Sequence, residues 1–434
     1  MAKVLAETRQ IGLIRGIRRW DLVAIAINGI IGGGIFGLPA PVFKLIGPYS
    51  LIAFAVCAVV VTLIILCFAE VGSRFDETGG PYLYAREAFG ATVAFEIGWL
   101  IWLARLTAFA ANCNLLVAYI GYFLPAAANP FWRASIIIVV VAILAAINLL
   151  GVRQAAIVSN VFTIGKLVPL ILFIAVGLFF LNHQAFVPGP RPATGAFSQS
   201  VLLLVYAFTG FEMAAIPAGE VRDPKKNLPR ALLIAIAVVA ILYILIQVVC
   251  VGTLPELAQS QKPLADAGMR FMGAAGGAVI SAGAIISITG NLNILVLSGS
   301  RVPFAMAEQQ QLPSCIAKVH RRFSTPHVAI VITAGLMLLF TLQSSFVKAL
   351  TISAIARLVT YGATCLSLPV FRRRSDAPPA SFRLRGGTAI AILALLLAIW
   401  LLANSTWQEA RSATIAAAVG LLIYVAYRLY SRRS

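Results

Sequence analysis

Apolar residues in this chain do not alternate with polar ones; they gather in long runs separated by short polar stretches. Runs approaching the roughly 20 residues that a helix needs to cross a bilayer predict spans over 22–42, 51–71, 94–123, 135–150, 160–181, 201–218, 231–252, 274–297, 327–342, 349–371, 389–403 and 412–429. The fold class that follows is an all-α membrane protein with twelve transmembrane helices. Connections between the runs are short, so no stretch could house a separate soluble domain.

Composition agrees with the pattern. Of 434 residues, 60% are apolar and 11% charged, against about 25% charged in an ordinary soluble domain. A water-facing globule of this composition would have too few charges to cover its surface, so the surrounding solvent must be the lipid bilayer. The net charge of +19 would fit a polyanion binder only if basic residues clustered on one face with interleaved aromatics. They stand instead in patches between runs: Arg15, Arg18 and Arg19; Arg222, Lys225, Lys226 and Arg230; Arg321 and Arg322; Arg372, Arg373 and Arg374; Arg432 and Arg433. If the N-terminus is cytoplasmic, most of the 34 Lys and Arg fall in cytoplasmic segments. That is the positive-inside bias, and it predicts a multi-pass protein of the plasma membrane with both termini in the cytoplasm and no nucleic-acid partner. The six cysteines have no paired spacing and read as small core residues. His183, His320 and His327 are scattered, so neither a metal site nor a cofactor is expected. Gly32, Gly34 and Gly37 do spell G-x-G-x-x-G, but no strand precedes them, and Cys57 stands where a dinucleotide fold would carry an acid.

Three adjacent glycines, Gly32, Gly33 and Gly34, interrupt the first run, each costing about 1 kcal/mol relative to alanine in a continuous helix. Gly29, Gly33 and Gly37 also form small-xxx-small steps, which close helix packing would use. The sharper expectation is that the helix unwinds. Amides at the start of its second half would then meet an anion, and carbonyls at the end of its first half a cation; backbone at that depth can be irregular only beside a cavity. A second interruption is expected in the sixth run at Tyr206-Ala207-Phe208-Thr209-Gly210-Phe211-Glu212, and Pro39 and Pro217 follow the two interruptions at comparable places. Breaks that open each of two sets of five runs fit a five-plus-five inverted repeat with discontinuous helices one and six, plus two C-terminal helices. The organisation expected is an N-terminal tail over 1–21, repeats over 22–181 and 182–371, two further helices over 372–429 and a tail over 430–434.

The motifs resemble those of the amino acid-polyamine-organocation superfamily of amino acid permeases, which share a leucine-transporter-like fold. The resemblance rests on Gly32-Gly33-Gly34-Ile35-Phe36; Glu70-Val71-Gly72-Ser73-Arg74-Phe75 with Gly79-Gly80-Pro81-Tyr82; Gly151-Val152-Arg153; Lys166-Leu167-Val168-Pro169; Thr209-Gly210-Phe211-Glu212 running into Gly219-Glu220-Val221-Arg222-Asp223-Pro224; and Ser300-Arg301-Val302 to Leu312-Pro313. It implies an amino acid substrate whose carboxylate lies on amides of the Gly32, Gly33 and Gly34 break. The ammonium would lie near carbonyls of Ile30, Tyr206 and Thr209, beside Gly210, and Tyr206 aligns with an aromatic that closes over substrate. The second glycine position is often Ser in that family, and Gly33 here leaves recognition to backbone amides. Helix dipoles support the same arrangement, since about half a charge of each sign sits at the two kinds of free end.

Arg105, Lys166 and Arg357 fall within runs three, five and ten, and Glu212 within run six. Unpaired, each would cost at least about 2.5 to 3.5 kcal/mol at a span's centre. Counting from about Ala156 places Lys166 roughly 15 Å deep. The resemblance implies that its ammonium stands in for the sodium of related transporters by contacting carbonyls of the first break. It would either exchange a proton during transport or stay charged and tie helix five to helix one, and Glu212 has the same two readings. Arg105 and Arg357 are expected to satisfy carbonyls or line a vestibule. The function expected is a secondary permease for amino acids, with protons as a coupling ion. An amino acid/amine or polyamine exchanger of the same fold is the alternative, and a channel a remote one. Monomer and homodimer both stay open. No P-loop, H-E-x-x-H or nucleophile–base pair points to an enzyme.

Overall fold

The computed structural model describes residues 18–431 except 77–79, 151, 188, 194, 216–220, 321 and 324, and leaves out the side chains of 152–164, 409, 413, 430 and 431. Expectations on Arg15, Gly79, Gly151, the Arg153 side chain, Pro217, Gly219, Glu220, Arg321, Arg432 and Arg433 lie outside the described residues. Within them every regular element is helical. Among the described residues, nine helices are long and apolar enough to cross a membrane, and three shorter apolar ones run over Gly165–Phe180, His327–Gln343 and Gly387–Ala403. The last two have 17 residues each, roughly 25 Å at 1.5 Å per residue, somewhat under a 30 Å hydrocarbon core.

The first run is divided as the glycines predict: α1 (Arg19–Ile30), α2 (Gly34–Gly37) and α3 (Pro39–Ile46). Then come α4 (Ser50–Gly72), a short α5 (Pro81–Phe89), α6 (Ala91–Ile120), α7 (Pro130–Leu150) and α8 (Val152–Gly177). The sixth run is also divided. Helix α9 (Ala196–Phe208) stops at Thr209, whose backbone is extended, and Gly210 (φ 108°) turns the chain into a 3₁₀ turn over Phe211–Ala214. The rest is α10 (Pro224–Thr253), α11 (Pro263–Glu308), α12 (His327–Gln343), α13 (Phe346–Arg373), α14 (Gly387–Ala403) and α15 (Trp407–Ser431). Helix α11 is longer than its apolar run at both ends: a separate short helix precedes it, and the helix continues past 297 to Glu308. The backbone leaves helical geometry at Gly273 (φ 70°, ψ −167°), next to the expected start at 274.

Helix α6 is buried along nearly its whole length and packs chiefly on α11 and α13, whereas α7 and α15 expose most of theirs. Phe131 on α7, Trp407 and Leu422 on α15 and Phe179 just after α8 are each at least 68% accessible, a surface suited to lipid and not to water. One end of α4 is clamped. The Glu70 carboxylate accepts from Nε and Nη2 of Arg372 on α13 (2.7 and 2.6 Å) and from the Leu384 amide (2.9 Å), while Arg74 donates to the Pro378 carbonyl (2.8 Å). The Glu70–Arg74 motif thus fastens segment 374–386 to the helix ends beneath it.

The two breaks meet backbone to backbone. A Cβ on Gly29 would strike the Gly210 carbonyl, and one on Gly210 would strike the Gly29 carbonyl. Gly210→Ala should therefore cost about 1–3 kcal/mol from its left-handed backbone alone, and more from the collision. Thermal unfolding of detergent-solubilised protein should show a clear fall in Tm. Gly335→Ala, in open space within α12, should leave Tm unchanged or raise it slightly.

Candidate substrate site

Unwinding after Ile30 leaves the amides of Gly33 and Gly34 with no acceptor among the described residues, just where α2 begins. Chain direction makes this the positive end of a helical segment. The Gly32 and Gly33 positions are also crowded. A Cβ on Gly32 would press the Asn291 amide at 3.0 Å, and one on Gly33 would collide with Asn112. Those asparagines, on α11 and α6, are joined by Asn112 Nδ2 donating to Asn291 Oδ1 (2.7 Å), and the Tyr206 hydroxyl donates to Asn112 Oδ1 (2.7 Å). The glycine run thus lets two polar side chains from neighbouring helices approach the exposed backbone.

Ile30, Gly32, Gly33, Gly34, Tyr206, Thr209 and Gly210 all line one central cavity of about 20 Å³. That is room for about one water. The three carbonyls named for the ammonium are not equivalent. The Ile30 carbonyl accepts the Gly32 amide (2.8 Å) and the Tyr243 hydroxyl (3.1 Å), and the Tyr206 carbonyl accepts the Thr209 hydroxyl (2.7 Å). The Thr209 carbonyl receives no donor from the described residues, so it is the one with both lone pairs free.

Lys166 and Glu212 lie outside this lining. Lys166 is fully buried behind the first break, its ammonium donating to the carbonyls of Ile31 (2.8 Å) and Asn28 (3.3 Å). It is a charged cap on the negative end of α1. Tyr243 of α10 caps both first halves, since its hydroxyl reaches the Ile30 and Ala207 carbonyls (3.1 and 3.3 Å). Glu212 serves the second break: one oxygen is ion-paired with Arg357, and the other accepts the Tyr361 hydroxyl (2.8 Å) and the Gly210 amide (2.9 Å). The expectation that Arg357 would satisfy carbonyls is corrected here, because a carboxylate four spans away in sequence is its partner. Arg105 donates to Ser298 Oγ (2.6 Å) instead of a carbonyl. Both arginines, with Glu212 and Tyr361, line a second cavity of about 640 Å³ that reaches α5 and the end of α11, so the vestibule half of that expectation agrees with the geometry.

Sequence reasoning passed over Asn112, Asn291 and Tyr243. Their signal was present: an amide or phenol deep in an apolar run must find a hydrogen-bond partner, and Arg105, Ala108 and Asn112 recur at helical spacing on one face of α6.

Removing Arg357 alone should strand a buried carboxylate, and breaking such a pair costs about 3–5 kcal/mol. Arg357→Leu should therefore lower Tm much further than the double variant Arg357→Leu, Glu212→Leu, which removes both members of the pair. Equal losses in a thermal-unfolding cycle would show that the two residues are not energetically coupled.

The family model described as "Amino acid permease" matches residues 17–426. Similar proteins from Bacillus subtilis (strain 168) include a methylthioribose transporter, 28% identical over 99% of this chain and 96% of its own. The branched-chain amino acid permease BcaP is 27% identical, with the same two shares, and the serine/threonine exchanger SteT is 29% identical over 96% of each chain.

Proposed function

The chain belongs to the amino acid permease family, a family of membrane transporters and not of enzymes, and on that premise we propose that it carries amino acids across the plasma membrane by alternating access, coupled to protons. The twelve apolar helical segments are read as twelve spans, with repeats over 22–181 and 182–371, two added helices over 372–429 and both termini cytoplasmic. One observation carries the proposal: two broken helices converge on a single small cavity with free amides of Gly33 and Gly34 and the free Thr209 carbonyl. An α-amino acid carries a carboxylate and an ammonium on one carbon, and these backbone ends offer one partner of each sign. Ile30, Gly32, Tyr206 and Gly210 complete the enclosure. A bundle containing the first and sixth spans would rock against the remaining scaffold.

The state described is read as closed around its centre. About 20 Å³ is too little for an amino acid, while the larger cavity opens on the side of α5 and the end of α11, the cytoplasmic side in this orientation. Lys166 is assigned the coupling role, because its ammonium occupies the place where a cation would meet the carbonyls of the first break. Glu212 is the second candidate for the proton, although Arg357, Tyr361 and the Gly210 amide already engage it.

Exchange of one amino acid for another is a second reading, favoured by the similarity to SteT, a serine/threonine exchanger. Uptake of labelled amino acids into proteoliposomes under imposed proton, sodium or counter-substrate gradients separates the two. An inward proton gradient should drive accumulation by the wild type, and Lys166→Ala should lose it by about tenfold or more, as expected when a buried charged partner is removed. Full proton-driven accumulation by the variant would remove Lys166 from the mechanism. Uptake that needs internal amino acid and ignores pH would establish exchange, and failure to move or bind any amino acid would refute transport of this class.

A further inference from the structure

We propose that the larger cavity receives an anionic side chain, so that the preferred substrates are amino acids carrying a second carboxylate. This rests on the proposed function above and adds the substrate class. The cavity of about 640 Å³ is lined inside by three guanidinium groups, Arg105, Arg301 and Arg357, and by one carboxylate, Glu212. At its rim the exposed Arg86 and Glu308 contribute one charge of each sign. Glu212 is committed to Arg357, Tyr361 and the Gly210 amide. Two inner arginines therefore have only neutral partners: Ser298 Oγ for Arg105, and the Leu297 carbonyl and Ser300 Oγ (both 3.0 Å) for Arg301.

Arg105 carries the argument furthest. It is 2% exposed, and its Nε has no hydrogen-bond partner. Arg105 feels the Glu212 carboxylate only at a distance and shares it with Arg357; a buried guanidinium with no carboxylate bonded to it is costly in a span, and its planar donors match a carboxylate better than any neutral acceptor. Its position is suited to a substrate held by its head group. Arg105, Ala108 and Asn112 share one face of α6, and the last two line the central cavity. Arg105 therefore lies roughly 4.5 Å along the helix axis from Ala108, on the side facing the larger cavity. Arg357 lines both cavities, so a side chain leaving the helix breaks would pass Arg357 and reach Arg105. An acidic side chain extends by two to three carbon–carbon bonds, roughly 3–4 Å, which suits that separation.

The test uses the full-length protein in proteoliposomes, with labelled glutamate and aspartate compared against leucine, serine and arginine, and thermal unfolding in detergent with each ligand. Glutamate or aspartate should raise Tm and compete at about tenfold lower concentration than leucine, the size of one charge-assisted hydrogen bond. Arg105→Gln should lower the ratio of acidic to neutral uptake about tenfold or more, and Arg105→Lys, which keeps the charge, should recover most of that ratio. The wild-type measurements decide the matter even if a variant fails to fold. Transport of neutral amino acids with no competition from acidic ones overturns this inference and leaves the permease reading standing. A Tm rise with sodium chloride or phosphate and none with acidic amino acids overturns it in favour of an inorganic anion. If no amino acid of any class moves or binds, the permease reading itself has failed.

Discussion

Hydrocarbon offers no hydrogen-bond partner, so a helix interrupted within a membrane must find one for each backbone group it frees. The architecture around the two breaks follows from that requirement. Lys166 takes the carbonyls of Asn28 and Ile31, Tyr243 those of Ile30 and Ala207, and Tyr119 that of Phe36 (2.7 Å). Glu212 takes the Gly210 amide. The donors come from α8, α10 and α6, so the unwound backbone is held from several directions at once. The Gly33 and Gly34 amides and the Thr209 carbonyl, which meet no partner among the described residues, border the same small cavity.

Close approach matters as much as polarity. Gly29 and Gly210 bring two main chains into contact, and Gly32 and Gly33 admit the linked amides of Asn291 and Asn112. Glu212 with Arg357 then stands between the central cavity and the larger one, since Arg357 lines both. Burial raises the stakes of this pair: intact it contributes little beyond what it cost to desolvate, but halved it leaves a bare charge in the protein interior.

The sequence announced its helices through long apolar runs, and it announced the interruptions through composition, because three consecutive glycines and a mid-run Thr-Gly pair are expensive in unbroken helix. Depth alone says that Lys166 cannot reach the surface and must find a partner inside the fold; that the partner is the first break was implied by the resemblance to amino acid permeases. Partnerships across the fold were less accessible. Nothing local says that Arg357 answers Glu212, or that Asn112 meets Asn291, because both depend on how α6, α11 and α13 are rotated about their axes. Long, uniformly apolar helices leave that rotation weakly marked. The extra short helix before Gly273 escaped notice because its residues are mixed in polarity and too few to form a span.

The fastening of Glu70 to Arg372 and Leu384 reaches beyond local stability. With both carboxylate oxygens engaged and the glutamate fully buried, the ends of α4 and α13 and the strap over 374–386 cannot part without giving up three charge-assisted hydrogen bonds. If the molecule rocks between two states as proposed, these pieces would turn as one lever, with the pivot elsewhere along the chain.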